Sequence, residues 1–356
     1  MKKFLTFLMT AILTLGVFTM SACGGNTEKG VFLLSLSDDV MNSFIADNKI
    51  DGKYDVYGKV DITNNQYKFI DSSSPVKTLG VSATYIVSND LSEEVVYNIT
   101  KAMWESKGSI GHTVESTMDI NLALVTIGNV KIHPGAAKYY REKGLTIADD
   151  RIASCGTATS DITIYTGGTG GTYYAFTNGL QSQLKDKTAY NYTVVGDTGG
   201  SVANLKAIKN GTCNMAIVQN DTMVNAYNGL TNNFAESGAI TNFSVIGEVY
   251  PEVMQIVTND SSIKSLADLK GSKKVVSIGD VGSGVEANAV ALLKKYGVDI
   301  TYNESTKTYT SKDISIKNLS VAKSADGMKD EVVDVFFFTS GAPATSITEL
   351  ATALNK

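Results

Sequence analysis

The chain has 356 residues, of which 43% are hydrophobic and 19% are charged, and its formal net charge is −5. This composition is typical of a globular protein long enough to build more than one hydrophobic core. An acidic chain without a basic stripe lacks the electrostatic attraction on which nucleic-acid binding depends. We therefore expect no nucleic-acid partner.

Residues 1–22 predict a lipoprotein signal peptide. Two lysines precede an apolar run at residues 4–20, which ends in small residues, as secretory signals do. The letters MSAC, followed by two glycines, resemble the bacterial lipobox, in which the cysteine, here Cys23, is acylated and becomes the mature N-terminus. The alternative, a transmembrane anchor, is disfavoured because the run is short for a membrane span. We expect an extracytoplasmic protein, lipid-anchored to the cell membrane in a periplasm or at the outer face of the cytoplasmic membrane, with residues 23–30 as a tether.

The part of the chain before residue 147 contains few elements and irregular segments between them. The predicted elements are a strand at 31–35, a short helix at 38–45, a buried strand at 77–87, and helices at 92–105 and 134–143. Ser92 is placed to cap the first of the two later helices, and apolar residues recur there at helical spacing. His133 precedes Pro134, so capping the next helix is its simplest role.

From residue 161 onward, short apolar runs alternate with longer amphipathic ones. Strands are predicted at 162–165, 192–195, 215–219, 243–246, 254–257, 275–278 and 333–338. Helices are predicted at 173–184, 201–209, 221–227, 266–269, 284–296 and 346–354. This alternation predicts an α/β fold, and the length favours two lobes.

A glycine-rich loop joins the first of these strands to its helix, in the stretch DITIYTGGTGGTYY at residues 161–174. Such a turn exposes backbone N–H groups at the positive end of a helix, where they can hold an anion. The loop lacks the lysine of a Walker A sequence and the third spaced glycine of a dinucleotide fingerprint. Taken alone, it is explained equally well as a tight structural turn.

Four further strand ends carry small polar residues before a helix. They read DTGGS at 197–201, QND at 219–221, GDVGSG at 279–284 and TSGAP at 339–343. Open α/β sheets bind ligands beyond the carboxyl ends of their strands, so we expect these ends to form one polar crevice. The candidate ligand-binding residues from all five ends are Gly168, Thr169, Gly170, Gly171, Thr172, Thr198, Gly199, Gly200, Ser201, Gln219, Asn220, Asp221, Gly282, Ser283, Gly284, Thr339, Ser340 and Gly341.

Catalytic signatures are missing from the sequence. It has two histidines and contains no HExxH, CxxC or GxSxG motif, so neither metal hydrolysis nor serine-type acyl transfer is predicted. We expect no enzyme, no cofactor and no metal site. Cys155 and Cys213 could pair in an oxidising compartment, but the sequence does not establish their distance, and a small buried side chain is the favoured interpretation of Cys213.

The ordered motifs TGGTGGTYY, DTGGSVANL, MAIVQND, VYPEVMQIV, SIKSLADLKG, GDVGSGVEANA and VDVFFFTSGAP resemble the TAXI family of solute-binding receptors for TRAP transporters. The segments VYNITKAMWE and KIHPGAAKYYREKG resemble that family's carboxyl-terminal end. The resemblance covers nearly all of the chain after the signal, and Ala175 departs from it, since the family commonly has proline there. It implies a two-lobed type II periplasmic-binding-protein-like fold that closes over a small organic acid or amino acid, glutamate-like or a dicarboxylate, and delivers it to a TRAP membrane permease.

Two residue types refine this expected site. Arg141 and Arg151 are the only arginines, and neither follows a predicted strand end. We therefore expect backbone N–H groups and Thr, Ser, Asn and Gln side chains, rather than a bidentate arginine, to hold an acidic ligand. Tyr173 and Tyr250 are candidates for a ligand-binding wall with a phenolic handle, although ordinary packing explains either one equally well.

The order of the motifs departs from the family, because the segments that usually come last stand first here. The sequence thus predicts a circularly permuted chain, which compact domains tolerate when their termini lie close together. We predict a first lobe of residues 75–146 plus 160–255, a second lobe of residues 31–60 plus 256–356, and a connector at 147–159. The predicted function is an extracytoplasmic solute-binding receptor of a TAXI-type TRAP transporter. The alternatives are a ligand-sensing surface lipoprotein without a transport partner and, less favoured, an enzyme built on the same lobes.

Overall fold

The computed structural model describes residues 30–159, 161–306 and 308–355. The predicted signal peptide, Cys23 and the tether up to residue 29 lie outside these residues. Within them, no helix has the length and apolar character that crossing a bilayer requires.

The described residues form ten helices and twelve strands, together with short 3-10 turns, one of which replaces the helix predicted at 266–269. The helices are α1 (Asp38–Asp47), α2 (Glu93–Trp104), α3 (Pro134–Glu142), α4 (Thr172–Lys187), α5 (Ser201–Lys209), α6 (Asn220–Asn228), α7 (Asn232–Ala235), α8 (Gly284–Lys295), α9 (Val321–Lys329) and α10 (Thr345–Leu354). The strands are β1 (Phe32–Leu33), β2 (Gly58–Ile62), β3 (Val76–Ser88), β4 (Ile162–Tyr165), β5 (Tyr192–Val195), β6 (Met215–Gln219), β7 (Phe243–Thr258), β8 (Val275–Ser277), β9 (Thr301–Asn303), β10 (Thr308–Thr310), β11 (Ser315–Lys317) and β12 (Val335–Ser340).

Ten strands form one sheet in the order β11-β8-β12-β7-β3-β6-β4-β5, with β1 beside β7 and β2 beside β3. The long strands β3 and β7 lie at the centre of the sheet and pair antiparallel with each other. On one side, β3 pairs antiparallel with β6, which is followed by the parallel strands β4 and β5, and we call this part the first lobe. On the other side, β7 pairs antiparallel with β12, which is followed by β8 and β11 parallel to it, and we call this part the second lobe. The predicted α/β fold is confirmed, and one mixed sheet joins the two lobes.

Strand β7 is one element where the sequence predicted two. The predicted strands at 243–246 and 254–257 are separated by a segment that contains two glutamates and Pro251, and proline is unusual in a central strand. In the structure Glu248 and Glu252 are both buried, and the register of β7 against β3 shifts twice, which absorbs the irregularity. The polar residues therefore lie inside the sheet instead of ending it.

The predicted helix caps are confirmed. The Ser92 hydroxyl accepts a hydrogen bond from the Val95 N–H at 3.3 Å, and His133 Nδ1 accepts one from the Gly135 N–H at 3.2 Å. Both contacts satisfy N–H groups that the first turn of a helix leaves without partners. These two helices, α2 and α3, cover the first lobe.

Both described cysteines are free thiols. Cys213 is buried, as the sequence favoured, and burial raises the pKa of its thiol to about 12. Cys155 is half-buried. The pairing that the sequence left open is not formed in this structure.

The two ends of the described chain meet in the second lobe, where the Val31 N–H donates to Asn355 Oδ1 at 2.6 Å. The segment around the predicted connector is held by backbone hydrogen bonds. The Ile132 N–H donates to the Arg151 carbonyl at 2.8 Å, and the Ala158 N–H donates to the Asp90 carbonyl at 3.0 Å. The connector therefore packs along the first lobe rather than behaving as a flexible link.

Candidate ligand-binding site

A cavity of about 100 Å³ lies where the strand ends of the two lobes face each other. Its wall combines residues that follow β4, β5 and β8 with residues of β6, β7 and β12. The lining residues are Gly167, Gly168, Gly171, Thr172, Tyr173, Gly199, Gly200, Ser201, Gln219, Glu252, Asp280, Ser283, Gly284, Val285, Phe338, Thr339 and Ser340. All five polar strand ends singled out in the sequence contribute to this list.

The predicted candidates divide into two groups. Those that line the cavity are Gly168, Gly171, Thr172, Tyr173, Gly199, Gly200, Ser201, Gln219, Ser283, Gly284, Thr339 and Ser340. Those that do not are Thr169, Gly170, Thr198, Asn220, Asp221, Tyr250, Gly282 and Gly341. The distinction follows from which way the chain turns after each strand, and a motif does not encode it.

Two helices of the first lobe begin at the cavity. Helix α4 starts after Gly171 and α5 after Gly200, and neither helix has a side chain that caps its first N–H groups. Gly200 has φ +86° and ψ −157°, a backbone conformation that is essentially restricted to glycine. The cavity wall therefore includes two helix starts whose backbone N–H groups and positive dipole ends favour a negatively charged group.

Helix α8 of the second lobe approaches the first lobe closely at Gly284. A Cβ atom at this position would lie 2.0 Å from Gln219 Oε1, so only glycine leaves room for the glutamine side chain. The preceding Ser283 caps α8, since its hydroxyl accepts a hydrogen bond from the Glu286 N–H at 3.1 Å. Gln219 thus spans the gap between the lobes.

Two acidic residues line the cavity. Glu252 is 2% exposed and accepts a hydrogen bond from the Tyr173 hydroxyl at 2.6 Å. Burial raises the pKa of Glu252 to about 8. Burial also raises the pKa of Asp280, which lies at the exposed rim. Among the lining residues there is no lysine and no arginine.

Asp221 lies in a buried network behind the cavity wall, while Asn220 has separate contacts and its Nδ2 donates to the Val56 carbonyl at 2.9 Å. The Asp221 carboxylate accepts hydrogen bonds from the Tyr57 hydroxyl at 2.8 Å and from Asn288 Nδ2 at 2.7 Å. Asn288 Oδ1 in turn accepts one from the Thr339 hydroxyl at 3.2 Å. Because Asp221 belongs to α6 of the first lobe and Asn288 to α8 of the second, this network joins the lobes.

The remaining candidates lie outside the cavity wall. Some of them make hydrogen bonds to other parts of the protein, and others have no side-chain hydrogen-bond partner among the described residues. Thr169 donates its N–H to Asp197 Oδ1 at 2.9 Å, and the Thr198 hydroxyl donates to the Thr166 carbonyl at 2.9 Å. A Cβ atom on Gly170 would have no heavy atom within 4 Å. Tyr250 is buried, and its hydroxyl has no hydrogen-bond partner among the described residues. Gly282 donates its N–H to Glu286 at 2.9 Å.

The sequence pattern of the NMT1-like family matches residues 27–144 and 164–356. The chain belongs to the NMT1-like family. This membership supports a solute-binding protein rather than an enzyme.

Two solved structures are similar to this NMT1-like protein at low identity. One is a putative methionine-binding lipoprotein from Bacillus subtilis subsp. subtilis str. 168, with 15% identity, a TM-score of 0.30, and coverage of 55% of this chain and 74% of that one. The other is the phosphate-binding protein of a phosphate ABC transporter from Streptococcus pneumoniae TIGR4, with 12% identity, a TM-score of 0.25, and coverage of 74% and 69%. These TM-scores are too low for either structure to inform the site of this chain.

Sequence reasoning missed five lining residues of this NMT1-like protein, which are Gly167, Glu252, Asp280, Val285 and Phe338. Most of them neighbour a predicted candidate. Glu252 is different, because it lies inside a long strand. Its signal was a charged residue within the apolar run VYPEVMQIV, which is unusual for a central strand unless the charge serves a site.

Proposed function

We propose that this NMT1-like protein is an extracytoplasmic receptor that binds a small solute with an acidic group between its lobes and delivers it to a TAXI-type TRAP permease. The observation that carries the proposal is the single cavity at which all five polar strand ends meet, with the uncapped starts of α4 and α5 in its wall. Backbone N–H groups at two helix starts supply the hydrogen-bond donors that a carboxylate requires, in place of an arginine.

The size of the cavity supports a small solute. Its volume of about 100 Å³ is well below the roughly 300–1,000 Å³ of sites that hold drug-sized ligands. The TRAP permease as partner rests on the resemblance of the motifs to TAXI receptors.

The altered chain order is part of the proposal. The family match is interrupted at residues 145–163, which includes the predicted connector. The contact between Val31 and Asn355 brings together the two positions that an unpermuted chain would join. Both observations support a circular permutation that leaves the arrangement of the lobes intact.

The test is a comparison of two neighbouring glycines. The wild-type protein is expected to retain a small solute, identified by mass spectrometry after denaturation and confirmed by calorimetry with the pure compound. Gly171→Val should weaken its binding at least about tenfold, or about 1.4 kcal/mol, because Gly171 lines the cavity and its new Cβ would already lie 3.1 Å from the Gly168 carbonyl.

The control is Gly170→Val, since Gly170 is exposed and a Cβ there meets no heavy atom within 4 Å. It should bind the solute as the wild type does. Equal affinity in both variants would contradict the part of the proposal in which backbone N–H groups of this loop hold the acidic group of the solute. A wild-type protein that retains and binds no solute would contradict the receptor function itself.

The lipid anchor is proposed at Cys23 on the resemblance of MSAC to a lipobox. Metabolic labelling with a palmitate analogue should mark the wild-type protein and leave Cys23→Ala unlabelled. A membrane fraction that contains the wild type but not the variant is the second expected result. Labelling that survives the substitution would place the anchor elsewhere, with Cys155 as the next position to replace.

A further inference from the structure

Glu252 is a buried acid, and the proposed binding of the solute by backbone N–H groups does not explain its presence. Its side chain faces the cavity from β7, and the Tyr173 hydroxyl is the one group of the described chain that donates a hydrogen bond to its carboxyl. The charge on a buried carboxylate is costly unless a cation or several donors compensate it. A cavity that served only an anion would gain nothing from an acid in its wall.

Gln219 provides a second, independent observation. Its side chain is 3% exposed and lines the same cavity. Its Oε1 atom is buried and has no hydrogen-bond partner among the described residues. An orphaned buried acceptor costs roughly 1–3 kcal/mol, and a donor on the solute would remove that cost. Glycine at position 284 leaves room for this oxygen, because the Cβ atom of any other residue there would collide with it.

We infer that Glu252 and Gln219 form a subsite for the ammonium group of the solute, and that the solute is a small amino acid rather than a dicarboxylate. This inference rests on the proposed receptor function and names its ligand class. The helix starts of α4 and α5 would hold the carboxylate of the zwitterion, while the two acceptors would hold its ammonium group. Each end of the solute then meets groups of the opposite polarity.

No lysine or arginine of the described residues lines the cavity around Glu252. The titratable groups that act on it are Tyr173 on α4, Tyr250 on β7 and Asp221 on α6, and Asp280 lies at the rim of the cavity. Without a solute, Glu252 keeps its proton until about pH 8, since burial raises its pKa to that value. An ammonium group favours the ionised carboxylate, so binding releases this proton to solvent. Affinity for an amino acid should therefore rise with pH between about 6 and 8 and level off above that range.

The experiment measures calorimetric affinities for compounds that differ only in the amino group. The pairs are L-alanine with propionate, L-aspartate with succinate, and L-glutamate with glutarate, alongside the solute that the wild-type protein retains. We expect the retained solute to carry a basic nitrogen and the wild type to prefer the amino acid in the pair it binds. Glu252→Gln should weaken amino-acid binding by about 30-fold or more, and should abolish the rise of affinity with pH.

The matched control is Glu248→Gln, a second buried glutamate of the same strand that lies outside the cavity and contacts Thr126 instead. It should leave the affinity and its pH dependence unchanged. Glutamine at position 252 can still accept the Tyr173 hydrogen bond, so melting temperatures will show whether Glu252→Gln remains folded.

Gln219→Met provides a second variant that removes the orphaned oxygen at similar volume. It should weaken amino-acid binding without lowering the melting temperature of the ligand-free protein, a combination that a purely structural role for Gln219 would not produce. A retained solute without a basic nitrogen, or deaminated acids that bind the wild type as tightly as their amino acids, would overturn the ammonium subsite and leave the receptor function standing. The absence of any bound solute would count against the receptor function first.

Discussion

Raising the pH from 6.5 to 8.5 is expected to lower the stability of the ligand-free protein by about 3 kcal/mol, because two buried glutamates lose protons that only the folded state keeps. Burial raises the pKa of Glu248 to about 7 and that of Glu252 to about 8, from an ordinary value of 4.5. Each contributes stability that is complete below pH 4.5 and is lost as the pH rises to its folded pKa. Within that interval the free energy of unfolding falls by about 1.4 kcal/mol per pH unit for each group.

The predicted loss of stability is measured from pH 6.5 upward, because below that pH a histidine changes the stability in the opposite direction. Burial lowers the pKa of His133 to about 4 from 6.5. Stability from the neutral ring is complete above pH 6.5 and is lost as the pH falls towards 4. Above pH 6.5 the two glutamates dominate, and burial raises the pKa of Asp221 as well, which has the same sign.

The measurement is chemical denaturation at several pH values for the wild type and for the double variant Glu248→Gln/Glu252→Gln. The wild type should lose stability steadily from pH 6.5 to 8.5, and the double variant should lose much less. A wild type whose stability is constant over this range would contradict the burial of the two carboxyl groups. A double variant that keeps the full decline would assign it to other groups.

Replacing Asp221 by alanine is expected to destabilise the protein by about 3 kcal/mol or more, because each buried donor left without an acceptor costs roughly 1–3 kcal/mol. The donors are the Tyr57 hydroxyl, Asn288 Nδ2 and the Thr222 N–H, at 2.8, 2.7 and 2.7 Å from the carboxylate. The same change should weaken solute binding. Asn288 holds the Thr339 hydroxyl, which lines the cavity, and the network joins the lobes that enclose the solute.

Denaturation and calorimetry on the same samples separate the two effects, and Asp186→Ala, at an exposed position late in α4, is the control that should change neither. A double-mutant cycle with Asn288→Ala should show strong coupling, because each single variant breaks the same contact. Additive effects of the two substitutions would mean that the network does not join the lobes.

Local chemistry explains why much of the fold was predictable. Ser92 and His133 cap their helices through groups within three residues along the chain, and the strand-to-helix glycine motifs mark the turns that the structure contains. Apolar runs also located β4, β5, β6, β8 and β12, whereas β11 of the second lobe was not predicted. These features depend on neighbours in sequence, so the printed residues suffice to predict them.

The role of each candidate within the site was not predictable in this way. Gly170 and Gly171 are adjacent and chemically identical, yet only Gly171 lines the cavity, because the loop turns between them. Asp221 stands two residues after Gln219 at the same strand end. Its carboxylate, however, accepts hydrogen bonds from Tyr57 and Asn288, which are far away in sequence.

By itself, the sequence determined the α/β alternation, the helix caps, the polar strand ends and the motif order that predicts a permuted chain, since all of these are patterns of neighbouring residues. Only the tertiary structure decided that β7 continues unbroken through both lobes and that Glu252 lies within it, 2% exposed, in the cavity wall. Burial depends on what packs against a side chain from distant segments, here Tyr173 of α4 and the facing strands. That burial raises the pKa of Glu252 and makes an ordinary surface residue type a candidate for recognising the solute.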